Sequence, residues 1–292
     1  MLKKITALLL GAITLLTASG CTQNPAFSGS AEPENALPVT GNLTVTAFNV
    51  GKADALVVQT QNTVTVIDTG NKGDGKQIEK FLTSQGIDTI DNLIITHFDK
   101  DHVGGAARVV NRMQVKNVYV PDYTSDSDEY NSFIEKIDET QTPLTAMAAK
   151  SQNEWQADDA HYQLYAPQED FYGKDEENDF SLVLYVQHGA NRLLFAGDAE
   201  NARQQEIMDL KLGEVDFLKV PYHGNYMKTT EDFLDACNPK VAVVCCSEKE
   251  NADPSTVETL EKRGVETYYT YNGNVTVISD GKALNCEQQA AE

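Results

Sequence analysis

Short apolar runs alternate with segments of helical period along most of the chain, and the runs have the length and composition of strands. Leu43–Phe48, Ala55–Gln59 and Thr63–Asp68 each predict a strand, and the last ends in Thr69-Gly70. Lys76–Gln85 carries its apolar residues at helical spacing and stops at Gly86, a common helix-ending residue. Asn92–Thr96 predicts a strand running straight into His97, Val103–Arg112 a helix, and Asn117–Pro121 another strand. The second half repeats the style. Strands over Ser181–Val186, Arg192–Phe195, Phe217–Val220, Val241–Cys245, Thr267–Tyr271 and Asn274–Ser279 alternate with helices near Asn201–Leu210, Thr229–Ala236 and Pro254–Lys262. Strands punctuated by helices predict a layered α/β domain with its helices outside a sheet core.

The ends of the chain read differently. Met1-Leu2-Lys3-Lys4 is a positive start, Ile5 to Leu16 is an apolar run too short to span a bilayer stably, and Thr17-Ala18-Ser19-Gly20 leads into Cys21. That order resembles a bacterial lipoprotein signal, so residues 1–21 are expected to be a signal peptide ending at a lipidated Cys21. Residues 22–41 are rich in Asn, Pro, Ser, Gly, Glu and Ala without periodicity and are expected to form a disordered tether. A single domain would occupy residues 42–282, with residues 283–292 as a tail. The expected location is outside the cell, attached to the bacterial membrane through the lipid anchor only. Export permits disulfides, and Cys237, Cys245, Cys246 and Cys286 allow three pairings; buried free thiols are an equal alternative. The adjacent Cys245 and Cys246 would point to opposite faces of a strand.

Charge narrows the function. Lys+Arg number 23 against 44 Asp+Glu, a formal net charge of −21. Proteins that track nucleic acid normally carry a basic stripe over the phosphates, so extended nucleic-acid binding is disfavoured. A nuclease is still permitted, because bound metal ions can supply positive charge locally.

The densest chemistry is Thr96-His97-Phe98-Asp99-Lys100-Asp101-His102-Val103-Gly104-Gly105. Two imidazoles and two carboxylates at the end of a predicted strand suit divalent metal. A loop leaving a strand can turn alternate side chains inward, so His97 and Asp99 can face one ion while Asp101 and His102 face another. Gly104-Gly105 would let the following helix approach closely. Asp198 ends an apolar strand with a carboxylate, where burial is costly without a compensating cation.

These segments resemble the metallo-β-lactamase superfamily, in the variant where the second His of the metal loop is Asp. That variant is typical of the hydrolase domain of ComEC/Rec2-type DNA-uptake proteins and of their stand-alone relatives. Phe48-Asn49-Val50-Gly51-Lys52-Ala53-Asp54-Ala55 resembles the family's "DVGQGDA", and Val66-Ile67-Asp68-Thr69-Gly70 its "LIDTG". Asn178-Asp179-Phe180-Ser181-Leu182-Val183-Leu184 resembles "NNxSLVL", Leu194-Phe195-Ala196-Gly197-Asp198 "LLTGD", and Leu218-Lys219-Val220-Pro221-Tyr222-His223-Gly224 "LKVxHHGS". The resemblance implies a four-layer αββα sandwich. It also implies two divalent metal ions, zinc or manganese. His97 and Asp99 would hold one, Asp101, His102 and His223 the other, and Asp198 would bridge them. Asp101, His102 and Asp198 would carry the catalysis, while Asp54, Asp68, Thr96, Asn178 and Ser181 would orient or line the site.

Departures from the family pattern accompany these matches. Asn49, Lys52 and Ala53 stand where the family has Asp, Gln and Gly, and Tyr222 replaces the first His of the His-His pair. The third His usual at the first metal has no counterpart, since His188 lies in Gln187-His188-Gly189 and reads as a surface residue. Such an oxygen-rich first site would hold zinc less selectively and accept manganese. Lys174–Asp179 reads as a solvated acidic loop, Trp155 and His161 as packing or surface, and Lys100, Lys219 and Lys228 as the lysines near the mouth.

The function expected from these readings is a monomeric metal-dependent hydrolase acting on a small or polymeric phosphodiester or other phosphoester at the cell surface. The competing class is a non-catalytic binding or scaffold lipoprotein with a degenerate site, which Tyr222 and the altered opening motif favour.

Overall fold

The computed structural model describes residues 39–173 and 177–290. Cys21, the signal expected over residues 1–21 and nearly all of the expected tether lie outside the described residues. Alternation makes the first strands two-faced. Along β1 (Leu43–Ala47), β2 (Ala55–Gln59) and β3 (Val64–Thr69), the residues Leu43, Val45, Leu56, Val58 and Ile67 enter one buried cluster, and Ala55, Val57, Val64 and Val66 another. These three strands run antiparallel, and β4 (Thr89–Ile94), β5 (Gln114–Pro121) and β6 (Leu144–Met147) then add in parallel beyond β3.

The chain next builds a second sheet. It comprises β7 (Gln152–Ala157), β8 (Ala160–Tyr165), β9 (Val183–His188), β10 (Asn191–Phe195), β11 (Phe217–Lys219), β12 (Val241–Val244) and β13 (Glu266–Tyr269). It then returns to the first sheet with β14 (Val275–Ser279) and β15 (Leu284–Gln288). The orders are β15-β14-β1-β2-β3-β4-β5-β6 and β13-β12-β11-β10-β9-β8-β7.

One core cluster, with Leu43, Val45, Leu56, Leu184, Phe195, Phe217 and Val243, lies between the sheets. Helices close the two outer faces. On the first sheet these are α1 (Gly75–Ser84), α2 (Lys100–Val103), α3 (Ala106–Arg112) and α4 (Asp128–Thr140); on the second they are α5 (Asn201–Asp209), α6 (Thr230–Cys237) and α7 (Pro254–Lys262). This is the expected αββα sandwich. The parallel strands β3, β4, β10 and β11 turn their carboxyl ends to one edge, the position where open α/β sheets hold ligands. Among the described residues no helix is long and apolar enough to cross a membrane.

Several expectations need correction. The helix expected over Val103–Arg112 begins only at Ala106, as α3, with Gly104-Gly105 separating it from the short α2 that ends at Val103. A Cβ on Gly104 would stand 2.6 Å from the Lys72 amide nitrogen, and one on Gly105 2.3 Å from the Thr69 carbonyl oxygen, so backbone passes backbone here. The segment set aside as a tail supplies β15, an edge strand pairing Cys286 with Val277. His188 is buried at the end of β9, bonded through Nδ1 to Ser279 Oγ at 2.7 Å, and sits at the opposite end of that strand pair from Asp198. Part of the acidic loop is also inside: Asp179 is buried and accepts the Glu200 and Arg203 amides at the start of α5. Trp155 stacks between Tyr119 and Tyr162, a packing role. The four cysteines of the described residues are free thiols, and Cys245 and Cys246 do face opposite sides of the second sheet.

Candidate metal centre

Strand ends and tight turns from both sheets assemble the site. Asp68 is at the end of β3 with φ 54°, an uncommon left-handed conformation that turns its carboxylate across to the next strand. There Asp68 Oδ1 accepts the Thr96 amide at 2.8 Å, and Oδ2 accepts the Thr96 hydroxyl at 2.7 Å. Asp54 is fastened by its backbone, accepting Gly70 N–H at 2.7 Å and donating to the Asp101 carbonyl at 3.1 Å. Asp198 follows β10 through Gly197, and its amide donates to Ser181 Oγ at 3.0 Å. His223 lies in a turn where Tyr222, His223 and Gly224 are all left-handed, at φ 50°, 52° and 79°. Two successive non-glycine residues in that region are strained and persist only where their surroundings hold them.

The hydrogen bonds fix which nitrogen of each imidazole carries the proton in the neutral ring. His223 Nδ1 lies 2.9 Å from the Cys245 carbonyl oxygen, which can only accept, so Nδ1 donates. His102 Nδ1 donates to Asp68 Oδ2 at 2.9 Å. The Thr96 hydroxyl gives its proton to Asp68 and so accepts from His97 Nδ1 at 3.1 Å. All three Nε2 atoms are left as lone pairs, and all three are buried without a hydrogen-bond partner. They nonetheless face carboxylates. His223 Nε2 is 2.9 Å from Asp198 Oδ2 and 3.3 Å from Asp101 Oδ2, His102 Nε2 is 3.2 Å from Asp198 Oδ2, and His97 Nε2 is 3.7 Å from Asp99 Oδ2. A lone pair aimed at an anionic oxygen is repulsive unless a proton or cation stands between them. The donor set therefore fits divalent cations.

Electrostatics say the same. Burial by itself would raise the carboxyl pKa values of Asp101 and Asp198 and lower those of His102 and His223, yet these four shift the other way. Asp101 is lowered to about 2 by the His223 imidazole beside it and by the charge of His102. Asp198 is held well below the carboxylate range by His223, His102 and Lys219. Asp198, Asp68 and Asp54 hold His102 well above its ordinary value, and Asp198 and Asp101 raise His223 to about 9. At these four groups opposed charges outweigh desolvation.

The residues singled out from sequence converge, with a changed emphasis. The tightest donor set is Asp54, His102, Asp198 and His223, whose donor atoms lie within 4.8 Å of one another. Asp101 joins it through His223, and the His97 ring packs on His102 with centroids 4.0 Å apart. Asp99 is the outermost, its side chain 44% exposed at the mouth. Asn178 donates to Glu200 at 2.8 Å and leaves its buried Oδ1 without a hydrogen-bond partner. Lys219, expected near the mouth, is instead fully buried beneath the site and paired with Asp54 and Asp198. The signal was present: a lysine on the same strand face as Phe217 points between the sheets, where a cation needs a carboxylate.

Known proteins resemble the chain in sequence and in fold. Recombination protein 2 of Haemophilus influenzae is 27% identical over 205 residues, 68% of this chain and 24% of that protein. ComE operon protein 3 of Bacillus subtilis is 28% identical over 170 residues, 58% of this chain and 21% of that protein. The chain thus spans about a quarter of the length of these relatives. The solved structure of Igni18, described as a novel metallo hydrolase from Ignicoccus hospitalis, superposes with a TM-score of 0.52 at 18% identity, over 80% of this chain and 98% of that one, a likeness of fold. Residues 49–248 match the metallo-beta-lactamase superfamily, and the chain belongs to that superfamily.

Proposed function

We propose that this protein is a metal-dependent hydrolase with a dinuclear site, acting on a phosphodiester or other phosphoester at the bacterial cell surface. The observation that carries the reading is the set of three imidazoles whose Nδ1 protons are committed elsewhere, while their bare Nε2 atoms face Asp99, Asp101 and Asp198. His97 and Asp99 would hold one ion, and Asp101, His102 and His223 the other, with Asp198 between them. When bound there, divalent ions such as zinc or manganese would supply Lewis acidity and lower the pKa of water towards neutral pH. The chain's own residues fix the ligands: Asp68 and Thr96 orient His102 and His97, the Cys245 carbonyl orients His223, and Ser181 steadies Asp198.

The oxygen-rich donor set favours a phosphoester over a lactam, as do relatives whose names record recombination and competence. The net charge of −21 favours a small or short substrate over extended nucleic acid. The test is turnover of bis-(p-nitrophenyl) phosphate, p-nitrophenyl phosphate and a chromogenic lactam in parallel, with zinc or manganese added to stripped protein. Metal-dependent phosphoester cleavage is expected, with manganese at least as effective as zinc. No turnover of any of the three would defeat the enzymatic reading, and lactam turnover alone would assign a different substrate class.

A further inference from the structure

The ammonium of Lys219 is buried at the end of β11, and its three donors meet three oxygens. These are the Gly197 carbonyl at 2.8 Å, Asp198 Oδ1 at 3.1 Å and Asp54 Oδ2. A lysine has three N–H donors and no acceptor, so the group is saturated and has nothing left to offer a substrate. Its effect falls on the two carboxylates. Asp198 is divided, with Oδ1 on Lys219 and only Oδ2 turned to the imidazoles at 2.9 and 3.2 Å. Asp54 gives only Oδ2 to Lys219; its buried Oδ1 has no hydrogen-bond partner, and the carboxylate lies on the Nδ1 side of His102 and His223, at 3.9 and 3.5 Å.

We infer that Lys219 is a positioning residue, a permanent cation that holds Asp198 Oδ1 and so presents Asp198 to metal through Oδ2 alone. The inference rests on the metal-hydrolase reading and adds a division of labour among the five carboxylates of the site. Asp68 serves the imidazoles, Asp54 serves Lys219, and Asp99, Asp101 and Asp198 remain for metal.

The test must separate positioning from simple support of the fold. Removing Lys219 alone strands Asp54 as a buried charge, which is strongly destabilising, so D54N/K219M is compared with D54N. In D54N the contacts from Lys219 to Asp198 and Gly197 can persist. In the double variant they cannot. With both proteins folded by circular dichroism, the double variant should bind zinc at least about ten-fold more weakly than D54N in chelator competition, the scale of losing a group that orients a ligand. Its cobalt(II) form should absorb more weakly in the visible, because the freed Asp198 Oδ1 raises the coordination number. A double variant that matches D54N in both readouts overturns the inference and leaves the metal reading intact. Wild-type protein that binds neither zinc nor cobalt(II) overturns the metal reading, and this inference with it. Should the double variant not fold, K219R replaces it. Its wider guanidinium keeps the charge but cannot reproduce the three-oxygen seat, so weaker zinc binding than wild type is expected, and unchanged affinity and spectrum overturn the inference.

Discussion

At the scale of single residues, Asp101 makes the sharpest test, because it meets His223 Nε2 at 3.3 Å yet stays partly open to the mouth. Asp101→Asn keeps the shape and removes one negative charge from the ion's surroundings. Turnover of bis-(p-nitrophenyl) phosphate should fall by about 100-fold or more, with an unchanged circular dichroism spectrum. A loss of only a few-fold would remove Asp101 from the ligand set. The thiols give an independent check on the core. Burial pushes Cys237 up to about 12 and Cys246 to about 11, and it raises Cys245 well above the ordinary thiol value, reinforced by Asp54. Cys286 is raised to about 11 by burial and by Glu266, though it is only half-buried. Near neutral pH all four are protonated and weakly nucleophilic. Peptide mapping after brief alkylation of the native protein should find Cys237, Cys245 and Cys246 unlabelled, with Cys286 the first to react as pH rises. Rapid native labelling of Cys245 would contradict the seal beneath the metal centre. The metal-ligand candidates were legible because their residue types are costly at strand ends unless paired. His188 was misplaced because burial of a single polar residue follows from which face of a strand it takes, and a short run leaves that open; Lys219 was misplaced although its alternation with Phe217 pointed inward.

Among the elements, strands with a buried face were readable from their period, and β2 and α7 match the expected bounds residue for residue. The break between α2 and α3 was signalled by Gly104-Gly105 rather than by the period, and the loop after β3 packs so closely on both glycines that no Cβ fits there. Gly105→Ala would put a methyl carbon 2.3 Å from the Thr69 carbonyl oxygen and 2.6 Å from the Gly75 nitrogen. Neither neighbour is a flexible side-chain tip, so the loss should reach at least the upper part of the usual overpacking range, about 3 kcal/mol in urea unfolding. A loss below about 1 kcal/mol would mean that this loop yields easily. Helix α4 escaped the sequence reading although Tyr130, Phe133, Ile134 and Ile137 follow helical spacing and the Ser127 hydroxyl caps the Tyr130 amide. Its acidic first turn, Asp128 and Glu129, belongs at a helix N-terminus. The β7–β8 hairpin and β15 were hidden for another reason. They are polar on one side and lie at or next to sheet edges, so only pairing with a neighbour reveals them.

For the whole molecule, the site couples the two sheets. Asp54, Asp68, Thr96, His97 and His102 come from the first, while Ser181, Asp198, Lys219 and His223 come from the second. Without metal, that junction gathers carboxylates that imidazolium and Lys219 must balance. An ion that binds only the folded chain stabilises it, by about 2.7 kcal/mol at a hundred times its Kd. For a domain of this size that corresponds to a rise in Tm of roughly 5–10 °C when zinc is returned to stripped protein. The gain should depend on pH. In the metal-free chain His223 sits at about 9, because Asp198 and Asp101 outweigh burial. A raised base holds its proton below that value, and an ion must displace the proton to reach Nε2. Zinc should therefore stabilise more as pH rises from about 6, near the ordinary histidine pKa, towards 9, and progressively less as pH falls. Scanning calorimetry of stripped and zinc-loaded protein across that range measures the difference directly. Asp198→Ala removes the oxygen that His102 and His223 share, so the zinc-dependent gain should largely vanish in that variant. A gain that stays flat with pH, or that survives intact in Asp198→Ala, would place the stabilising ion elsewhere on this acidic chain.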